Sequence, residues 1–516
     1  MIRTLKNLFE QSARKYADKI AYKYKVGKEI EEKSYTDFYN NVTSVATGLK
    51  ELGLKGKHIA VIGPTSYEYI SAYLGIVTSG SVIVPIDKDL SPAEICKLIN
   101  RADVSAFIYE EGFEEVIKAV KQNCELCKTF IVMNSQDEAV LDEADLTFKQ
   151  LVAKNAVTDF VDYDEAEVDE EDLAAIIFTS GTTGESKGVM MSNKNLVFNV
   201  ISGELHFPEN TVALSVLPIH HSYCFTCDVL MALYYGTTVC INDSLTRIAK
   251  NMGIFKPTIT LMVPMMIETM AKNLRIAAKK MPDVPKKLIA QNAFGGKLNT
   301  IYSGGAYLNP KLVDEFQEYG IDILQGYGMS EAGPRVSNNV REAWNKQSVG
   351  QLIPGTEYKI VNDELWIKND SVMQGYYKNP EATADTLVDG WLKTGDLAKV
   401  DDEGYLYITG RKKNLIILSN GENIAAEQIE NKLYEHPEVA EVLVYGEENQ
   451  IVAEIYPNEE EIAATVDKEE ILQNIVKEIN VGIPIYKQIH KLKVRDTEFE
   501  KTTSRKIKRA KILVGK

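Results

Sequence analysis

The first third of the chain alternates stretches of helical apolar spacing with short runs that are apolar throughout. Tyr35 to Leu52 repeats apolar positions every three or four residues and predicts an amphipathic helix. His58 to Ile62 and Ser81 to Pro85 are short apolar runs, the mark of strands buried on both faces. That rhythm predicts an α/β architecture with parallel strands. Leu173 to Phe178, Ala213 to Leu217 and Ile321 to Leu324 continue it with helical stretches between them, while the acidic stretch Asp162 to Asp172 predicts an exposed connector. No repeat or low-complexity segment appears.

The pattern changes near Gly410. A strand-like Tyr405 to Ile408 runs into Thr409-Gly-Arg-Lys-Lys413, and the remainder reads as a small α+β unit. Ile429 with Leu433, and Ile471 with Ile475 and Ile479, keep the spacing of helices with one buried face. Glu441 to Tyr445 and Ile451 to Ile455 predict a strand pair across a polar turn. The expected division is a large α/β domain over 1–412 and a small α+β domain over 413–516.

Composition narrows the function classes. With 516 residues, 45% hydrophobic and 26% charged, the chain is too long for one small module and unlike disordered, collagenous or disulfide-stapled proteins. Its formal net charge of −16 disfavours nucleic acid and anionic membrane surfaces, so an acidic substrate must meet locally placed cations. The N-terminal residues lack the apolar core of a secretory signal, and no run reaches the roughly 18 apolar residues that span a bilayer. A cytoplasmic location without an integral membrane segment is expected. Two C-x-x-C pairs, Cys124/Cys127 and Cys224/Cys227, would offer zinc four thiolates only if the fold joined them; scattered reduced thiols acting as small buried hydrophobes are expected instead.

The segment richest in chemistry is Thr179 to Gly188, directly after the Leu173 run. Its glycines let successive N–H groups converge, Thr179, Ser180, Thr182 and Thr183 add hydroxyls around Gly181 and Gly184, and Lys187 adds charge. Such a loop is suited to phosphate. It is not a Walker A loop, because Ser186 stands where the second glycine of that frame should be.

Thr179 to Val189 closely resembles the signature loop T-S-G-T-T-G-x-P-K-G-V of the acyl-adenylate-forming enzymes, with Ser186 in place of proline. Gln325 to Glu331 is similar to that superfamily's Y-G-x-T-E motif, with Ser330 for threonine. Thr394-Gly-Asp396 and Gly410-Arg411 match its T-G-D and G-R motifs, and Asn420 to Glu430 matches the block beyond. The resemblance covers nearly the whole chain and is closest to bacterial long-chain fatty acyl-CoA synthetases, through Leu214 to Thr226 and Gly410 to Gly421.

The resemblance implies a role for each position. Adenine lies between Gly304-Gly305-Ala306 and Tyr327, within the Gln325-Gly326-Tyr327 motif that ends at Ser330; Asp396 accepts the ribose hydroxyls, and Arg411 fixes ribose and phosphate. Glu331 holds Mg²⁺, a hard cation that seeks oxygen. Outside such motifs Tyr327 would read as core packing and Asp396 as a turn carboxylate. The catalytic lysine falls at Lys506, in Glu500 to Arg509, where Glu500 and Arg505 replace the usual proline and glycine; Lys508 is its rival. His221 takes the position of a histidine near the acyl carboxylate, Lys413 that of a hinge, and Gly421 lies in a loop facing the pantetheine channel.

The implied activity joins a carboxylic acid to ATP as acyl-AMP, releases pyrophosphate, and passes the acyl group to CoA. The expected acid is a medium- or long-chain fatty acid, with Val263 to Ile267 and Met190-Met191 available to line an apolar pocket and Tyr307 to narrow it. Two alternatives stay open: loading of a separate acyl carrier protein, and a nucleotide- or acyl-binding protein without turnover. Either a monomer or a homodimer is compatible with the sequence.

Overall fold

A computed structural model describes residues 2–134, 144–157, 168–179, 186–203, 207–418, 423–462, 467–501, 507–509 and 512. The acidic stretch is described only from Val168 onward, where it turns into the Leu173–Thr179 strand.

Two large sheets dominate. The first orders its eight strands as Gly375–Tyr376, Lys187–Ser192, Leu173–Thr179, Val82–Ile86, His58–Ile62, Val104–Glu110, Thr129–Met133 and Leu146–Thr147. From Leu173–Thr179 to Leu146–Thr147 all pairings are parallel. Their apolar runs are explained by burial on both faces: Val82–Ile86 is buried at every position. The Tyr35–Glu51 helix packs alongside, started by a capping box in which Ser34 and Asp37 satisfy each other's backbone N–H groups.

The second sheet runs Gln351–Leu352, Arg335–Asn338, Asp322–Gly328, Thr300–Ser303, Ile259–Met262, Val212–Ser215, Thr238–Ile241, Ile20–Val26 and Glu29–Ser34. Its centre is parallel, and Asp322–Gly328 turns back on Arg335–Asn338 as an antiparallel pair. A third sheet places Leu406–Arg411 against Trp391–Val400, with Asp396 opposite Arg411.

Beyond the 3₁₀ turn Lys412–Asn414 the chain builds its own core. Ile416, Ile424, Ile429, Leu433, Val442, Ile455, Leu472, Ile475 and Ile479 pack together, under a three-stranded sheet of Val439–Glu447, Gln450–Pro457 and Lys491–Val494. Lys311 Nζ lies 3.0 Å from Glu435, and Lys272 pairs with Glu460, so this unit rests on the helices Pro310–Glu318 and Pro264–Lys280. The two C-x-x-C pairs occupy separate hydrophobic clusters, Cys124 and Cys127 in one and Cys224 and Cys227 in another, so the fold does not bring four thiolates together.

Candidate active site

Two antiparallel strand pairs and the end of the parallel Thr300–Ser303 strand carry the sequence motifs. In the first, Leu173–Thr179 and Lys187–Ser192 form a hairpin that sets Thr179 opposite Lys187, with Thr179 Oγ1 donating to the Lys187 carbonyl at 3.5 Å. Ser180, Gly181, Thr182, Thr183 and Gly184 lie outside the described residues. Ser186 is gripped from the side, its carbonyl accepting from Arg101 at 2.8 Å.

Lys187 and Glu331 meet at Tyr376, which sequence reasoning missed. Lys187 Nζ sits 4.7 Å from the centre of the Tyr376 ring, and the Tyr376 hydroxyl donates to Glu331 Oε1 at 2.9 Å. Backbone pairing fixes this arrangement: Tyr376 is opposite Val189 in the sheet, and Met373 N–H donates to the Glu331 carbonyl. Burial, reinforced by the Glu331 carboxylate, raises the Tyr376 phenol, so it stays a donor. Among the described residues neither Lys187 nor Glu331 forms an ion pair. A short Gly-Tyr strand 190 residues from the loop carries no periodicity that could have flagged it.

The second corner joins Tyr327, Asp396 and Arg411. The Tyr327 hydroxyl donates to Asp396 Oδ2 at 2.7 Å, and Arg411 Nε lies 2.9 Å from Asp396 Oδ1. Asp396 is only 1% exposed, while the Arg411 side chain is 45% exposed. Burial and the neighbouring carboxylate push the Tyr327 phenol up. Behind them Glu364, also buried, accepts from Lys412 Nζ at 2.8 Å and from Gly395 N–H at 3.1 Å, which holds the Thr394 to Asp396 bend.

The third corner lies beneath Gly304. A Cβ there would meet the Tyr223 ring at 3.1 Å, a tight approach that glycine avoids; Gly305 and Ala306 continue the shelf at the surface. Gln325 is buried with its amide donating to the Lys346 carbonyl, so the side chain serves the fold, while Gly326 comes close to the Ser337 carbonyl. Ser330 Oγ is 3.1 Å from Ser222 Oγ, and this contact puts His221 beside the Glu331 turn. The His221 ring lies 4.3 Å from that of His220. Desolvation, then His221, hold the His220 pKa down at about 4 and keep that ring neutral.

Lys413 lies in the 3₁₀ turn, flanked by Lys412 on Glu364 and by Asn414, whose amide donates to Glu427. Lys506 and Gly421 lie outside the described residues. The flanks of the Lys506 segment are held by Lys508 on Glu500 and Arg509 on Glu430. The Glu94 carboxyl is lowered chiefly by its hydrogen bonds with Ser91 at the start of the Pro92–Arg101 helix, the helix whose Arg101 grips Ser186.

Taken together, the region offers a glycine-edged shelf beside a tyrosine, a buried carboxylate for hydroxyls, and a separated cation and carboxylate suited to phosphate and a hard metal ion. Among the described residues no cluster of three metal-ligating side chains occurs, and no helix is long and apolar enough to cross a membrane.

Comparison with known proteins agrees with this arrangement. Residues 9–377 match the AMP-binding enzyme family, and residues 413–514 match the AMP-binding enzyme C-terminal domain. An Escherichia coli long-chain-fatty-acid–CoA ligase is 28% identical over 486 residues, covering 86% of this chain and 83% of that protein. The fold is similar to that of the anthranilate CoA ligase AuaEII in complex with anthranoyl-AMP, with a TM-score of 0.84, 22% identity, and coverage of 99% and 96% of the two chains. It is also similar to Bacillus subtilis O-succinylbenzoate Coenzyme A synthetase in complex with ATP and magnesium, with a TM-score of 0.78, 23% identity and 98% coverage of both. With a family match spanning most of its length and the motif residues gathered at one place, the chain belongs to the AMP-binding enzyme family, whose acyl-CoA synthetase fold it shares.

Proposed function

We propose that this protein is an AMP-forming acid:CoA ligase acting on a medium- or long-chain fatty acid. The observation that carries the reading is the convergence of Tyr327, Asp396 and Arg411 with Lys187, Tyr376 and Glu331. The similarity to a bacterial long-chain-fatty-acid–CoA ligase supports the choice of acid.

ATP would lie with its adenine between the Gly304 to Ala306 shelf and the Tyr327 ring. Asp396, oriented by Tyr327 and Arg411, would accept ribose hydroxyls. Lys187 and the Thr179 to Gly184 loop would hold the phosphates. Glu331 suits Mg²⁺, since Tyr376 engages one carboxylate oxygen and orients the other. Bound there, the ion would neutralise charge on phosphate oxygens.

The substrate carboxylate oxygen attacks the α-phosphorus, the bond to the bridging oxygen breaks, and pyrophosphate leaves. Lys506 on the small domain would stabilise the charge spread over the phosphate oxygens in that step. A thiol then attacks the acyl carbonyl, forming the thioester and expelling AMP. Division of the chain at 412/413, with Lys413 as hinge, would let Lys506 withdraw and bring the Gly421 loop toward the thiol. His221, beside Ser222 and Ser330, is suited to the acyl carboxylate end. A cytoplasmic location is part of this reading.

The test is acid-dependent ATP–pyrophosphate exchange across short, medium, long and aromatic acids, followed by CoA addition. Exchange with fatty acids and thioester formation are expected, and Lys506→Ala is expected to abolish exchange while sparing thiolysis of supplied acyl-AMP. Exchange without CoA turnover would instead support a carrier-protein acceptor. ATP binding without exchange for any acid would overturn the enzymatic reading.

A further inference from the structure

Tyr376, which stands between Lys187 and Glu331, sits on a strand of two residues at the edge of the first sheet. Gly375 lies opposite Met190 and Tyr376 opposite Val189, and Tyr377 N–H donates to the Gly188 carbonyl at 2.8 Å. So short a ladder, bonded on one side, opens easily unless something else holds it. The Lys187 ammonium over the Tyr376 ring and the Tyr376 hydroxyl on Glu331 both depend on its staying in place.

One helix end holds both strands of this pair. The Pro92–Arg101 helix links Val82–Ile86 to Val104–Glu110 and is anchored in the core by Ile95, Leu98 and Ile99. At its end Arg101 Nη1 donates to the carbonyl of Ser186, the residue before Lys187, at 2.8 Å. Two residues on, Asp103 Oδ2 accepts from the hydroxyl of Tyr377, the residue after Tyr376, at 2.7 Å, and its Oδ1 accepts from Lys378 Nζ at 2.7 Å. Asp103 turns toward them through a φ of +50°, in the left-handed region that aspartate tolerates better than most side chains. His58 backs the arrangement, with Nδ1 at 2.5 Å from the Ala102 carbonyl and its ring edge-on to that of Tyr377 at 5.4 Å.

The chemistry of these contacts suits a fixed spacer. A guanidinium on a carbonyl and a phenol on a carboxylate are charge-assisted bonds, short and strong. Burial, then Asp103, push the Tyr377 phenol up to about 12, so it remains a donor at neutral pH. The Lys378 side chain is 55% exposed, and such a pair adds little; Arg101 and Tyr377 carry the hold.

We infer that Arg101 and Asp103 are positioning residues: the end of this helix clamps the two edge strands and so sets the gap between Lys187 and Glu331. The inference rests on the proposed assignment of Lys187 to phosphate and Glu331 to Mg²⁺. The clamp then serves the polyphosphate end of ATP and not the nucleoside, whose proposed partners Tyr327, Asp396 and Arg411 lie on other sheets.

Calorimetry of ATP with Mg²⁺, and of AMP, on the full-length protein without any acid tests this. Arg101→Met is expected to weaken ATP binding about tenfold and to leave AMP within about twofold, the loss expected for one bond from a charged group. Arg101→Lys should restore part of the ATP affinity, since an ammonium can also donate to the Ser186 carbonyl. Tyr377→Phe keeps the ring against His58 but removes the donor to Asp103, and it should weaken ATP about three- to fivefold with AMP again spared. Equal losses for ATP and AMP would reduce the helix end to a support of the fold and overturn the inference. So would wild-type ATP affinity in both folded variants. If Arg101→Met does not fold, the ATP-to-AMP split in Tyr377→Phe decides in the same way. Absence of pyrophosphate exchange with every acid would remove the ligase reading, whereas the clamp stands or falls on the ATP-to-AMP split alone.

Discussion

The two ends of the candidate site solve opposite problems. At the Tyr327–Asp396–Arg411 corner opposite charges touch, and the buried carboxylate is answered by a cation and a phenol. At the Lys187–Glu331 corner a tyrosine stands between the charges, its ring under the ammonium and its hydroxyl on the carboxylate. The first arrangement holds a carboxylate in a preset position, which suits the contact proposed for it with uncharged ribose hydroxyls. The second keeps a cation and an anion separately available, as a ligand carrying both phosphate and metal requires. A direct Lys187–Glu331 pair would satisfy both groups and leave neither for the ligand.

The largest expected effect breaks the separated corner. Glu331→Gln should lower the pyrophosphate exchange rate by about 10²–10³-fold while leaving AMP affinity nearly unchanged, measured by exchange and by calorimetry. Equal losses in both would place Glu331 at the nucleoside instead. Asp396→Ala should do the reverse, weakening ATP and AMP alike by roughly 1.5–3 kcal/mol, about ten- to hundredfold, as charge-assisted bonds are lost. Unchanged AMP binding in a folded variant would refute the ribose assignment.

A smaller effect sharpens the role of the spacer. Tyr376→Phe keeps the ring beneath Lys187 but removes the donor to Glu331, and it should cost about tenfold in kcat, the low end for a hydrogen bond to a charged group because water can replace the hydroxyl. Tyr376→Leu should cost more, through lost cation–π contact as well. Similar rates for the two variants would show that only the hydroxyl matters.

The smallest effect contrasts Asp396 with Asp228, a buried carboxyl without a cation. Asp228, in the π-helical segment Cys224–Leu230, accepts from Ser215 Oγ at 3.0 Å and from Cys224 Sγ at 3.8 Å, and burial raises it to about 7. Between its ordinary value of 3.8 and about 7 the native state holds a proton that the unfolded chain releases, so its contribution to stability falls as pH rises through that window. Asp228→Asn removes this loss. Its stability relative to wild type should therefore be higher at pH 8 than at pH 5, by about 2 kcal/mol. A difference that does not change with pH in thermal unfolding would show that Asp228 does not titrate as its burial implies.

Much of this was legible in the residues. Apolar runs such as His58 to Ile62 identify doubly buried strands because nothing polar can be placed on either face, and the shift near Gly410 marks where a second core begins. The motif residues Lys187, Glu331, Tyr327, Asp396 and Arg411 are visible because their types and spacings are tied to phosphate, metal and ribose chemistry. Tyr376 and Arg335 are invisible in the same reading. A tyrosine in a two-residue strand and an arginine after Gly333-Pro334 look like ordinary surface residues until their neighbours are known.

The sequence alone determined the α/β class, the AMP-binding motifs and the acidic character of the chain, since these follow from local composition and short-range spacing. Only the tertiary structure decided that Tyr376 separates Lys187 from Glu331, that Gln325 faces the Lys346 carbonyl, and that Arg335 is buried on the Asn199 and Ser202 carbonyls. Each of those depends on which distant strands become neighbours, and hydrogen bonds and burial across such pairings have no signature in the order of residues.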